Sequence, residues 1–147
     1  MQPVSCDNVV PMDNAIEITR SIELDLGPAD VWELIGDGDG WADWMVDTAI
    51  IDVAPGSTGA VIDDDEQRDV RIDHVDEGER VMFEWWPSGR RDHASSVVLH
   101  IVPTRRGTML KVVETFPAVS LSASVVSSSW HRRLTHLDAR RRMLVAA

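Results

Sequence analysis

The stretch "GDGDG" at residues 36–40 alternates two carboxylates, Asp37 and Asp39, with Gly36, Gly38 and Gly40. Carboxylates at alternate positions are what a calcium loop offers, and spaced glycines are what a phosphate cradle offers. Neither pattern is completed. An EF-hand loop needs a third oxygen ligand where Trp41 stands and a distal glutamate, and both are missing. A nucleotide cradle follows a strand and opens a helix as G-x-G-x-x-G or G-x-x-x-x-G-K, whereas this stretch follows a helical pattern and has other spacing. It reads as a flexible joint between two helices that leads into Trp41 and Trp44. The run "DDDE" at 63–66 reads as a solvated hairpin turn rather than a metal site. The five histidines are scattered, none at a metal-ligand spacing with cysteine or acid, and no serine sits in a nucleophile elbow. No metal, nucleotide or other cofactor is expected, and no residue is assigned a catalytic role.

Two charges interrupt apolar faces. Arg20 falls on the face of Ile18 and Ile22, and Glu114 continues the face of Leu110 and Val112. Unpaired buried charges are costly, so the two are expected to pair with each other if their strands are neighbours; otherwise Arg20 reaches out of a strand end and Glu114 meets water. Arg141 interrupts the apolar stripe of the last helix near its end, where it can snorkel. His131 reads as a boundary residue beside that stripe and His100 as external.

The elements that position these groups follow from periodicity. "AIEITRSIELDL" (15–26) alternates as a half-buried strand, and "GPADVWELI" starts a helix at Pro28. "WADWM" is long enough for a turn or two of helix. Six short strands follow: "AIIDVA", "GAVI", "DVRIDHV", "RVMFEWW", "SSVVLHIV" and "TMLKVVETF", separated by turn signals such as "PGSTG", "DEGE" and "PTRRG". The chain closes with a helix over about Ser122–Val145, on which Val126, Trp130, Leu134, Leu137 and Leu144 share one stripe. Ser120, Ser122 and Ser124 are candidate N-caps. The fold class expected is α+β: a seven-stranded curved antiparallel sheet around a long C-terminal helix, with two short helices after the first strand. A helix gripped by a curved sheet leaves space for an apolar cavity.

Composition agrees with one soluble domain, residues 14–147, behind a flexible leader at 1–13. The net charge of −11 is uneven: residues 1–89 carry 22 acids and 4 basic residues, residues 90–147 carry 3 and 10. Such an acidic chain argues against nucleic acid or an anionic membrane as partner. No stretch reaches the length of a membrane span, and the single cysteine, Cys6, points to a reducing cytoplasm. Nothing in the sequence fixes the oligomeric state.

Five segments in order, "RSIELDLGPADVWELI", "WADWM", "VMFEWWPSG", "SSVVLHIVPTRRGTMLKVVET" and "SSSWHRRLTHL", resemble the START-like, or birch-pollen-allergen-like, helix-grip superfamily (SRPBCC). Within it they are most similar to the branch named after the C-terminal domain of the heat-shock chaperone ATPase activator. The resemblance spans residues 15–145. It implies the helix-grip fold, while the superfamily's functions range over lipid carriers, hormone receptors, polyketide aromatase/cyclases, chaperone co-factors and self-sacrificing resistance proteins.

The expected function is binding of a hydrophobic or aromatic small molecule in the cavity between sheet and C-terminal helix. The expected lining is Trp41, Trp44, Met45, Phe83, Trp85, Val97, Leu99, Leu110, Val112, Trp130 and Leu134, with Arg20 and Glu114 as its polar members; Val81 and Ile101 share the same faces. Trp86 is placed at the rim or outside. A polyketide aromatase/cyclase-like enzyme using Arg20 and Glu114 to orient and protonate its substrate is one alternative. A chaperone-activator-like protein-binding module is the other.

Overall fold

Apolar residues at every second position build the sheet. The computed structural model describes residues 8–12, 15–118 and 122–146, with side chains described over 15–118 and 122–139. The strands are β1 (Asn8–Met12), β2 (Ala15–Leu24), β3 (Thr48–Ile50), β4 (Thr58–Asp63), β5 (Glu66–Asp76), β6 (Arg80–Pro87), β7 (Ser95–Pro103) and β8 (Thr108–Pro117). They form one sheet in the order β1-β2-β8-β7-β6-β5-β4-β3, antiparallel throughout. Strands β3 to β8 are a meander, and β2 closes onto β8 as expected. Asn8–Met12 adds an eighth strand to the seven expected, pairing along β2 with Val10 opposite Glu17. Part of the presumed leader therefore covers what would otherwise be a sheet edge with unpaired backbone groups. Strand β3 is shorter than "AIIDVA" suggested, because the chain turns away at Ala54–Gly56, where Gly56 has a φ of +85°.

The inner face collects the buried residue of each alternation. On β8 these are Thr108, Leu110, Val112, Glu114 and Phe116; on β7, Ser95, Val97, Leu99 and Ile101; on β6, Val81, Phe83 and Trp85. Helix α3 (Ala123–Ala146) lies over this face and buries Val126, Trp130, Leu134 and Leu137. Each such large side chain contributes about 1.5–3 kcal/mol of burial. Ser122 caps the helix, its hydroxyl accepting the Val125 N–H at 3.2 Å. Arg141 and Leu144 have side chains outside the described residues, as does Ser120.

Helices α1 (Pro28–Ile35) and α2 (Gly38–Trp44) close one end. The glycine-rich joint is shorter than the sequence suggested: Gly38–Gly40 already form the first turn of α2, leaving Gly36 and Asp37 between the helices. The Asp37 carboxylate is the N-cap, accepting the Gly40 N–H at 2.7 Å. The two helices meet so closely that a Cβ at Gly40 would stand 2.3 Å from the Glu33 carbonyl oxygen. The indoles of Trp41 and Trp44 donate to the carbonyls of Ile35 and Leu34 at 2.8 and 2.9 Å. They satisfy two C-terminal carbonyls of α1 that have no intrahelical partner.

Candidate functional site

Five aromatic rings form a belt of successive contacts between α2, β6 and α3. Trp41 on α2 meets Phe83 on β6 with centroids 4.7 Å apart, and Phe83 meets Trp85 edge-on at 5.2 Å. Trp85 stacks on Trp130 of α3 at 5.9 Å with the ring planes 18° apart, and Trp130 returns to Trp44 of α2 at 6.4 Å. The spacing of the sequence carries this belt: Phe83 and Trp85 share one face of a strand, and Trp41 and Trp44 are three apart on a helix.

Two charges contact the stacked pair, one at the indole edges and one over the rings. Glu114 is 4% exposed, and its two carboxylate oxygens accept the indole N–H groups of Trp85 (3.0 Å) and Trp130 (2.7 Å). Arg133 is also 4% exposed, with its guanidinium carbon 5.3 Å from the Trp85 ring centre and 4.8 Å from that of Trp130. An indole is positive at its edge and negative on its face, so the two rings mediate between carboxylate and guanidinium without direct contact. Arg133 Nε donates to the Met45 carbonyl at the end of α2 (2.9 Å), and Nη2 donates to Asp63 at the end of β4 (2.7 Å). Burial holds this guanidinium below its usual range. Repulsion from Arg68, which lies over Trp85 at 4.6 Å, adds to the shift, and Asp63 and Glu114 oppose it. The side chain nonetheless remains protonated at neutral pH.

A pocket of about 320 Å³ opens beside this cluster, lined by Ala42, Trp44, Met45 and Val46 at the end of α2, by Asp47 and Asp63, and by Arg132, Arg133 and His136 of α3. A smaller one of about 60 Å³, room for roughly two waters, reaches Glu114 from the other side between Arg68, Trp85, Trp86, His93 and Ser95. Among the described residues, no three His, Cys, Asp or Glu side chains gather as a metal set.

The expected site residues divide accordingly. Trp44 and Met45 line the larger pocket, while Trp85 and Glu114 border the smaller. Trp41, Phe83, Val97, Leu99, Leu110, Val112, Trp130 and Leu134 are each at most 4% exposed and pack into one core. The two pockets lie beside this core, the larger bounded by Trp44 and Met45 and the smaller by Trp85 and Glu114. Trp86 is half-buried on the outer face under Arg91, whose guanidinium carbon is 4.1 Å from its ring centre.

The expected ion pair between Arg20 and Glu114 is replaced by other partners. Glu114 stands opposite Ile18, and Arg20 opposite Val112, so the two share a face as diagonal neighbours. The carboxylate turns to the indoles, and Arg20 reaches α3, donating to Ser127 Oγ (3.3 Å) and to His131 Nδ1 (2.6 Å). An arginine only donates, so His131 Nδ1 is the acceptor in this contact. Sequence reasoning missed Arg133 and Asp63. Arg133 follows Val126 by seven residues and Trp130 by three, which places it on the buried stripe. Asp63, the first residue of "DDDE", follows the buried Val61 by two and shares its inward face. Both signals were present, but the run of acids and the basic tail masked them as solvated charge.

Residues 25–140 match the family described as Activator of Hsp90 ATPase homolog 1-like protein. The chain belongs to that family. Solved structures share the fold. DynU16, described as a protein of the dynemicin biosynthetic locus, aligns with a TM-score of 0.75 and 20% identity over 89% of this chain and 48% of that one. CalU16 from Micromonospora echinospora gives 0.68 and 19% over 86% and 74%, and MLL2253 from Mesorhizobium loti gives 0.74 and 15% over 86% and 97%. The chain thus spans about half the length of DynU16 (48%). No curated protein matches in sequence. Among the described residues no helix is long and apolar enough to cross a membrane.

Proposed function

We propose that this family member binds a hydrophobic or aromatic small molecule in the cytoplasm, at the junction of α2, β4 and α3. The observation that carries the reading is the pocket of about 320 Å³ whose walls are Trp44 and Met45 on one side and Arg133, seated on the aromatic belt, on the other. Its volume is at the lower end of small-molecule sites, and it combines an apolar wall with a few convergent polar groups. Helix α2, which forms the apolar wall, is joined to α1 through Gly36 and Asp37, and Arg133 holds its last carbonyl. Movement of this helix away from α3 would part Trp44 from Trp130 and extend the pocket toward Trp85, Phe83 and the apolar residues of β7 and β8.

Native mass spectrometry of protein purified from its own host, with tryptophan emission followed during titration of lipophilic aromatic compounds, tests the proposal. A co-purifying small molecule or a saturable emission change is expected. Absence of both, with aromatic probes raised to their solubility limits, would remove the reading.

A second reading, a polyketide aromatase/cyclase-like enzyme, draws on Glu114. A buried carboxylate at the end of a small pocket is placed as acid–base groups are. Turnover of a bound polyketide-like compound by the wild-type protein, lost in Glu114→Gln while binding persists, separates it from binding alone. The protein-binding module has less support, since the exposed large apolar residues described are Ile50 and Ile62 at one sheet edge and Val125 on α3, too scattered for one docking face.

A further inference from the structure

Arg133 has five N–H donors, of which Nε serves Met45 and one on Nη2 serves Asp63. Nη1 has no protein acceptor among the described residues, although the side chain is only 4% exposed and lines the larger pocket. A buried cation with unused donors is an unfinished arrangement: burial already lowers its pKa, and each unfilled donor adds a desolvation cost. The acids nearby each have one oxygen engaged. Asp63 Oδ2 is shared by Arg133 at 2.7 Å and Arg132 at 3.5 Å, and Asp47 Oδ2 accepts the Asp64 N–H at 2.9 Å. The unused donors of the pocket are those of Arg133, with Arg132 and His136 at its mouth. The opposite wall, formed by Ala42, Trp44, Met45 and Val46, is apolar apart from its backbone.

We infer that the ligand of this pocket is an aromatic carboxylate, its acid group received by the open edge of Arg133 and its ring system by Trp44 and Met45. The inference rests on the small-molecule reading above and narrows its ligand class. A carboxylate matches the planar fork of a guanidinium with two parallel hydrogen bonds, which neither an amide nor an amine reproduces. It supplies the acceptors that Asp63 alone does not provide. Arg132, with a side chain 59% exposed, adds screened attraction at the mouth.

The test compares three compounds of one shape on the wild-type protein by isothermal titration calorimetry at neutral pH: 2-naphthoate, 2-naphthamide and 2-(aminomethyl)naphthalene. The carboxylate should bind about ten- to a hundredfold more tightly than the amide, the advantage of hydrogen bonds to charged groups. The ammonium compound should bind most weakly. Added salt should weaken the carboxylate and leave the amide unchanged. Arg132→Gln should reduce carboxylate affinity by roughly two- to fivefold, the range of an exposed charge, and amide affinity not at all. Arg133→Lys keeps the charge and loses the fork, so it should bring carboxylate and amide closer together. Should that variant fail to fold, the wild-type series still decides the matter. Equal affinity for acid and amide, or tightest binding of the ammonium compound, would overturn the carboxylate inference and leave small-molecule binding standing. No binding by any of the three would overturn both.

Discussion

Glu114→Gln is the substitution that most directly tests the organisation of the core. Both oxygens of the carboxylate are occupied by buried indole N–H groups, at 3.0 and 2.7 Å. An amide of the same shape keeps one acceptor and turns an NH₂ group toward the other indole, so a charge-assisted bond worth about 1.5–3 kcal/mol is lost. Two donors then face each other without an acceptor, at about 1–3 kcal/mol for an unsatisfied buried group. Arg133 also loses a negative charge beyond the rings. The losses overlap, and the expected destabilisation is about 3–5 kcal/mol, the level found when one partner of a buried charge pair is removed. At roughly 3 °C per kcal/mol for a chain of this size, the melting temperature should fall by about 10–15 °C. Urea unfolding followed by far-ultraviolet circular dichroism measures the change without relying on tryptophan emission. A double-mutant cycle with Trp130→Phe should show coupling of at least about 1 kcal/mol, because the phenyl ring removes the donor that the amide opposes. The corresponding cycle with Arg20→Gln should couple more weakly. A destabilisation below about 1 kcal/mol, or stronger coupling to Arg20 than to Trp130, would refute the assignment of Glu114 to the indoles.

Three further outcomes follow from local geometry. Asp37→Ala removes the cap of α2 and should cost about 1 kcal/mol, read as a lower melting temperature together with faster amide exchange across Gly38–Trp44. Gly40→Ala would stabilise an ordinary exposed helix by up to about 1 kcal/mol. Here the new Cβ meets the Glu33 carbonyl, so destabilisation by about 1–3 kcal/mol is expected, and a neutral or positive change would show that the helices separate easily. On the outer face, hydrogen bonds from Arg80 and then His74 hold the Asp76 carboxyl below the usual carboxylate range. Its contribution to stability is present above the unfolded-state pKa, near ~3.9, and is lost as pH falls through the lower folded value. Carboxyl NMR titration should place the Asp76 midpoint below that of an ordinary aspartate, and Arg80→Gln should move it upward.

The fold was legible because period-two alternation on β2, β6, β7 and β8 and the stripe on α3 persist through the charges Arg20, Glu114 and Arg141 that interrupt them. The joint of β2 to β8 was legible only through the resemblance to the helix-grip fold, in which the first and last strands are neighbours. What escaped was the direction in which charged side chains turn once several choices are offered. Arg20 and Glu114 lie on the same face of adjacent strands, so pairing them follows from the sheet alone. Which partner a carboxylate takes depends on the indoles that α3 and β6 bring to it, and no pattern along one element encodes that meeting. Arg133 sits on the buried stripe by spacing, but in a run with Arg132 it reads as part of a basic surface. Asn8–Met12 escaped because a short strand on an edge needs only a neighbour with free backbone groups, and carries little signal of its own.

Replacing Glu114, Arg133 and Asp63 by apolar residues of similar volume would remove their desolvation cost, so these charges are poor candidates for devices that maximise stability. What they constrain is position. Val126, Trp130, Leu134 and Leu137 could slide along an apolar sheet face by one helical turn, about 5.4 Å, and exchange one set of aliphatic contacts for another. The charges forbid it. Only one placement of α3 brings the Trp130 N–H to Glu114 while Arg133 reaches both Asp63 on β4 and the Met45 carbonyl at the end of α2. Any other would leave a buried carboxylate and a buried guanidinium without partners. The same contacts therefore fix the register of α3 and the seat of α2. Those two helices and the end of β4 are the walls of the larger pocket, so its shape is set by the polar contacts within an otherwise apolar core.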